Sequence, residues 1–369
     1  MKFSVSASDL LRELQLFQGI VERKNTLPIL ANVLIEGDKA GDTVRLAATD
    51  LELTLQSRCE AKVKKGGSLT LPAKKLFEIL RALPDTEVEF SESSNGSVSL
   101  SADRFSSRIQ TQPHEDFPSI PEAPGSSEVR LSAVSLKNMV SKTQFAITSE
   151  DTRYFLNGAL LLLSESSMSL VATDGHRLAL VSTNREGEDG GRELLPKKTL
   201  MELGRLVSED SGVVVYEPGD NHLFFNIDGR LLISRRMDDA QFPAHEKVIP
   251  KGNDKRIEFE RDRLARAIKR VALLSSERSR AVKFQFDEGK VEISSSSPEV
   301  GEASEELSVD YEGATIKICF NPQYVIDFLN AVDSEAVLFE FKDESSQAVL
   351  SPLTSDDYDY TYVIMPMRI

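Results

Sequence analysis

The sequence predicts an α+β fold of three repeated domains, each with two helices packed on antiparallel sheets. Three observations predict it. "LTLPAKKLFEILRAL" (69–83) returns as "ELLPKKTLMELGRLV" (193–207), and "TDLELTLQ" (49–56) returns as "TDGHRLAL" (173–180), both at an offset of 124 residues. Helical patterns recur at similar spacing, in "SASDLLRELQLFQGI" (6–20), "SAVSLKNMVSKTQFAI" (132–147) and "ERDRLARAIKRVALL" (260–274). Between the helices lie short alternating runs such as "SVSLSA" (97–102) and "KVEIS" (290–294), which read as strands. Helices gathered on one face of antiparallel sheets accommodate both patterns.

The repeats are assigned to 1–124, 125–252 and 253–369. In the first helix Leu10, Leu14 and Phe17 form one apolar stripe, with Ser8 as the expected N-cap. The second opens with Pro72, tolerated in a first turn, and carries Leu76, Ile79, Leu80 and Leu83. The third repeat echoes it more faintly as "KICFNPQYVIDFLNAV" (317–332). "EDFPSIPE" (115–122) returns as "AQFPAHEKVIP" (240–250). "SIPEAPGSSE" (119–128) and "VIPKGNDKR" (248–256) read as linkers.

The chain has 369 residues, 40% hydrophobic and 28% charged, the balance of a globular protein with ample core material. Its longest apolar run, "ALLLL" (159–163), is strand-sized and far from the roughly 18 residues of a membrane helix. "MKFSVSASDLL" offers no signal-peptide core, so a cytoplasmic protein is expected. Cys59 and Cys319 read as reduced structural thiols. Four scattered histidines and no Cys/His cluster argue against a structural metal.

A net charge of −15 taken alone points away from nucleic acid, but the charge is segregated. The six helical segments (6–24, 72–83, 132–147, 196–207, 260–274 and 321–332) together carry +8, which leaves −23 on the remainder. Helix propensity explains lysine and arginine, yet it predicts glutamate equally, and glutamate is scarce on these helices. A basic helical surface facing phosphates, with acidic sheets facing away, accounts for both. No motif for reading base edges appears, so such binding would be independent of sequence.

"VATDGHRLAL" (171–180) has the residue types of an active site, with His176 as base and Asp174 as its orienter. The two are separated by an Asp-Gly turn that sets their geometry, and no nucleophile elbow, P-loop or dinucleotide fingerprint accompanies them. Comparing the repeats gives another reading. Glu52, Thr54 and Gln56 correspond to His176, Leu178 and Leu180, so one strand face turns from polar to largely apolar in the second copy. Such a face needs a cover or a partner. The C-terminus offers similar material in Val363, Met365 and Met367. A purely structural scaffold would leave both this change and the basic helices unexplained.

Three repeats, basic helices and an acidic exterior resemble the bacterial sliding clamp family, the beta subunits of DNA polymerase III. The resemblance spans the chain through "TLPILANVLIE" (26–36), "DFPSI" (116–120), "RYFLNGALL" (153–161), "VATDGHRLAL" (171–180) and "YVIMPMRI" (362–369). It implies the DNA-clamp fold and a head-to-tail dimeric ring, with helices lining the hole around double-stranded DNA. It implies no catalytic residue, metal or cofactor, and no membrane. Implied partners are the polymerase III catalytic subunit, the clamp loader, other polymerases, and mismatch-repair and ligase proteins, all but DNA and the second copy binding through short peptides. By motif, the peptide groove is Leu156, Thr173, Gly175, His176, Arg177, Leu178, Pro243, Val248, Asn321, Tyr324, Val363, Met365, Met367 and Arg368, with segment 344–347 nearby. His176 and Arg177 are expected at its polar rim. DNA-facing positions are Lys24, Lys74, Lys75, Arg81, Tyr154, Phe155, Lys197, Lys198 and Lys247. Relatives often carry a second tyrosine where this chain has Phe155. The second helix of the third repeat lacks basic residues, so the positive lining is expected to be uneven. Ile109, Leu273 and Leu274 match apolar contacts of the ring interface.

Overall fold

Burial alternates along the strands and recurs at helical spacing along the helices, and these periods set the architecture. The computed structural model describes residues 1–21, 27–39, 41–93, 96–125, 127–148, 151–208, 210–237, 242–275, 280–355 and 357–368. Among them are α1 (Ala7–Phe17), α2 (Ala73–Ala82), α3 (Ala133–Thr143), α4 (Lys197–Leu206), α5 (Arg261–Ala272) and α6 (Pro322–Ala331). All six expected helices are present. In α1 the expected stripe Leu10, Leu14 and Phe17 is buried. The expected cap is corrected by two positions: Ser6, not Ser8, accepts from the Asp9 amide at 3.3 Å, while the Ser8 hydroxyl bonds Ser6. The strand Lys2–Ser6 runs directly into the helix, so its last residue is the one with extended backbone. Pro72 likewise ends a strand and sits just before α2 rather than in its first turn.

The chain divides into two compact units, residues 1–136 with 201–236 and residues 137–200 with 237–369. In the first, a five-stranded antiparallel sheet runs in the order Lys62–Lys65, Lys2–Ser6, Glu87–Ser93, Ser97–Ala102, Phe105–Gln110. An eight-stranded sheet joins Val129–Ser132, Val213–Pro218, His222–Ile227 and Arg230–Arg235 to Leu53–Glu60, Thr43–Thr49, Asn32–Asp38 and Gly67–Pro72. In the second unit an eight-stranded sheet joins Gly191–Pro196, Gly158–Leu163, Ser167–Thr173 and Arg177–Asn184 to Asp359–Ile364, Ala348–Pro352, Ala336–Phe341 and Lys255–Glu260. A four-stranded sheet runs Gly301–Ser308, Lys290–Ser297, Val282–Asp287, Ile316–Phe320.

The units cut through the middle of the chain because strands pair across repeats. Ile233 stands opposite Thr54 and Leu231 opposite Gln56 in one sheet; Val363 stands opposite Leu178 and Thr361 opposite Leu180 in the other. Each joint also carries a locking ion pair. On α1, Glu13 receives both Nε and Nη2 of Arg230, at 2.9 and 2.6 Å. On α3, the buried Lys142 ammonium meets Asp333 at 2.6 Å and the Tyr358 ring at 4.7 Å, while Tyr360 donates to the Lys142 carbonyl. The linker segments are partly committed to structure: Ile120, Val248 and Ile249 pack on apolar clusters, and residues 255–256 already belong to a strand. Burial pushes the Cys59 thiol up to about 12, helped by Asp9 and Glu13. Burial also raises Cys319.

Breaking the α1 joint from one side leaves a carboxylate that is 8% exposed without its partner. Arg230→Met should therefore cost about 3 kcal/mol in urea unfolding, whereas Glu13→Leu with Arg230→Met should recover most of it. Equal losses in the single and double variants would contradict this account of the joint.

Candidate functional site

The turn at 173–177 is built from its own side chains. Thr173 donates Oγ1 to the Arg177 carbonyl at 2.6 Å and accepts from the Gly175 amide at 3.1 Å. Asp174 Oδ1 accepts from the amides of His176 and Arg177 at 2.9 and 3.1 Å. The first repeat has the same bonds: Thr49 to the Leu53 carbonyl (3.2 Å) and from Leu51 (3.1 Å), Asp50 from Glu52 (2.9 Å) and Leu53 (2.6 Å). Gly175 has φ +88° and Leu51, its counterpart, φ +79°. Asp174 is thus a turn former shared by both copies. Its Oδ1 is occupied by backbone and its Oδ2 by Arg177, which leaves it no role as an orienter of His176.

Beyond the turn the two copies differ in how apolar one sheet face is. In the second, Leu160, Val171, Leu178, Leu194, Phe242, Val349 and Val363 form a buried cluster. Leu162, Leu180, Met237, Val248 and Ile249 are only partly covered around it. In the first, the corresponding strand offers Thr54 and Gln56, and the covering segment contributes Phe117 and Ile120 to a smaller cluster with Ile29, Leu30, Leu34 and Ala47. The result is an extended, half-covered apolar strip beside exposed Gly175, His176 and Met365, of the kind that takes apolar side chains from an extended peptide.

Arg177 is not at the rim. Alternation turns it to the opposite face from Leu178. There its side chain, 9% exposed, donates to Asp174 (3.0 Å), Asp327 (2.5 Å) and the Phe145 carbonyl (2.6 Å) and stacks on the Tyr324 ring at 4.2 Å. It is a strut tying the turn to α6. Asn321 caps that helix through the Gln323 amide, and Tyr362 donates to the Tyr324 carbonyl at 2.9 Å. Burial raises the Tyr362 hydroxyl well above its ordinary value. The C-terminal segment crosses the site through two backbone bonds, Met365 N–H to the His176 carbonyl (2.9 Å) and Met367 N–H to the Cys319 carbonyl (2.7 Å).

Three family models match in succession: the N-terminal, central and C-terminal domains of the DNA polymerase III beta subunit, over residues 1–121, 130–244 and 246–368. The beta sliding clamp of Pseudomonas putida is 37% identical and that of Escherichia coli K12 34%, each over the full length of both chains. The chain belongs to the beta sliding clamp family. It has the three-domain clamp fold, and the family is a non-catalytic subunit of DNA polymerase III. A crystal structure of the polymerase III beta subunit from Pseudomonas aeruginosa superposes with a TM-score of 0.94 at 35% identity, with complete coverage of both chains. A sliding clamp from the same organism bound to griselimycin gives 0.93 at 35% identity, again with complete coverage of both chains.

The expected groove residues are found as follows. Leu156 and Thr173 are buried, Pro243, Val248 and Met367 half-buried, and Leu178 and Val363 lie in the apolar cluster. Segment 344–347 is a turn tied to Asp343 and leads into the strand beside Val363. Sequence reasoning missed Phe242, although it occupies the place of Phe117 in the repeated motif. It also missed Val349, which only strand pairing brings there, and Arg153, whose Nη1 lies 2.7 Å from where a Gly175 Cβ would stand.

Of the expected DNA-facing residues, Lys24 lies outside the described residues. Lys74, Lys75 and Arg81 are exposed on α2; Glu78 reaches both lysines, at 3.9 and 2.9 Å, and is held below the usual carboxylate range chiefly by the Lys75 hydrogen bond. Lys197 and Lys198 open α4, half-buried, and Lys247 is exposed. Tyr154 is exposed and meets Phe155 edge-on at 5.8 Å. Ile109 is half-buried on the edge strand Phe105–Gln110; Leu273 is 80% exposed and Leu274 half-buried just past α5.

Gly175→Ala should cost about 1–2 kcal/mol in thermal unfolding, through left-handed backbone and the Arg153 approach, whereas Leu51→Gly should stabilise. A neutral Gly175→Ala would refute the strain. His245 opens the 3-10 turn that carries Lys247, and burial holds its imidazole below the ordinary 6.5. The unfolded chain then takes up the proton first, so this contribution to stability is present above 6.5 and is lost as pH falls from 6.5 through the depressed folded value. Replacing it by Gln should flatten the stability profile over that window, as read by denaturant midpoints at stepped pH.

Proposed function

We propose that two copies of this chain join head to tail into a ring around duplex DNA, sliding without sequence preference and tethering polymerases and other DNA-processing proteins through the second-repeat groove. On this reading the protein works in the cytoplasm. The observation that carries the DNA reading is electrostatic. α2 carries Lys74 and Lys75 in its first turn and α4 carries Lys197 and Lys198 in its first turn, and neither first turn has an acid. Lysine at a helix N-terminus opposes the macrodipole and weakens the helix, so helix stability does not explain the placement. Together the lysines and the positive helix ends favour phosphate. Contacts of this kind, with no base-reading element, permit sliding.

Two edge strands support closure. The five-stranded sheet ends on Phe105–Gln110, with Arg104 and Arg108 exposed; the four-stranded sheet ends on Gly301–Ser308, with Glu302 and Glu306 exposed. Opposite charges on unlike edges favour a heterologous contact that returns on itself. Leu273 is exposed just past the first helix of the third repeat, apolar surface that a partner would cover. Leu178 and Val363 make the groove floor, and His176, Met365 and Arg368 stand at its border.

The test is retention. After loading by an ATP-driven clamp loader, the protein should persist on nicked circular DNA and run off once the DNA is linearised; equal retention on both would overturn topological binding. Leu273→Ala with Leu274→Ala should convert dimer to monomer in sedimentation, and an unchanged dimer mass would move the interface elsewhere.

A further inference from the structure

The first repeat has a depression of ≈ 400 Å³ that the reading above leaves unused. It is walled by Leu34, Phe117, Ile120 and Leu231. Its construction shares three parts with the second-repeat groove. The turn at 49–53 has the same hydrogen bonds as that at 173–177. A strand from the following repeat lies alongside, with Leu231 opposite Gln56 as Thr361 is opposite Leu180. The covering segment brings Phe117 as its counterpart brings Phe242.

The difference lies in polarity and sign. Gln56 stands where the other groove has Leu180, adding an amide able to bond a peptide backbone. Glu36 and Glu122 line the depression, and Glu115 and Asp116 are exposed on the same segment; of the basic groups lining it, Arg45 is already near Glu36 at 3.5 Å and His114 near Glu115 at 3.4 Å. On the peptide-docking reading above, the second-repeat groove is bordered instead by His176 and Arg368.

We propose that this depression is a second peptide-docking site, selecting a short extended segment with two apolar residues on one face and basic residues flanking them. The comparison with the second-repeat groove rests on the peptide-docking reading above. The acidic border attracts the flanks, the apolar wall takes the alternate side chains, and Gln56 reads the backbone between them.

The test uses the full-length dimer and a fluorescein-labelled Lys-Lys-Leu-Ala-Leu-Lys-Lys peptide, followed by anisotropy. Saturable binding should survive removal of residues 365–369, which disables the second-repeat groove. It should fall about tenfold when Glu115→Lys and Glu122→Lys reverse two border charges. Both are exposed, so folding is not at stake. Binding lost with the tail and indifferent to the charge reversal would assign the peptide to the other groove and overturn the proposal. Absence of saturable binding, or equal binding by a peptide with both leucines replaced by serine, would overturn it too. A Glu-flanked counterpart, whose binding should depend on residues 365–369, reports on the second-repeat groove independently.

Discussion

Strand pairing across repeats is the constraint on which the rest depends. A strand of the middle repeat pairs with Leu53–Glu60, and another pairs with Asp359–Ile364, so its two halves belong to different sheets. Register at such a joint is unforgiving, because a slip of one residue turns every side chain to the other face. With Val363 opposite Leu178, the C-terminal strand adds its apolar side to that of the second repeat, and Val349 extends it by one more strand. The groove therefore belongs to no single repeat.

The same constraint explains how one sheet face became more apolar in the second copy than in the first. Thr-Asp turns at 49–50 and 173–174 satisfy their backbones identically, so the strand leaving each turn starts in the same orientation. Changes at alternate residues then act on one face each: Thr54 and Gln56 give way to Leu178 and Leu180 on one side, and Leu53 gives way to Arg177 on the other. On that other face Arg177 bonds Asp327 and supports Tyr324, fixing α6 against the turn. Apolar lining and polar support thus alternate along the strand, residue by residue.

The helices, the repeat and the one-sided apolar change were legible in the sequence because each is a local period or a self-comparison. The joints were not. Glu13 with Arg230 and Lys142 with Asp333 are separated by 217 and 191 residues, and no local pattern marks them. Arg177 was misplaced to the rim because its neighbours in sequence are rim residues, although alternation already assigns it to the far side. Ser8 lost the cap to Ser6 because the preceding strand determines where extended backbone ends. Phe242 was legible, through its match with Phe117, and was overlooked; Val349 was not.

Where local rules are broken, the breaks are informative. α5 balances its first turn, with Glu260 at the cap and Asp262 set against Arg261 and Arg263, and carries Lys269 and Arg270 in its last. α2 and α4 violate the dipole rule with two lysines each, at the same place in the repeat. Glu78 offsets only part of that charge, reaching Lys74 at 3.9 Å across an exposed surface where such a pair contributes little. The same pair of lysines thus opposes the helix dipole at equivalent positions in two copies, in a chain whose net charge is −15. A polyanion held against those helix ends would turn the same positive charge from a cost of folding into a source of binding energy, which is the economy a sliding clamp requires.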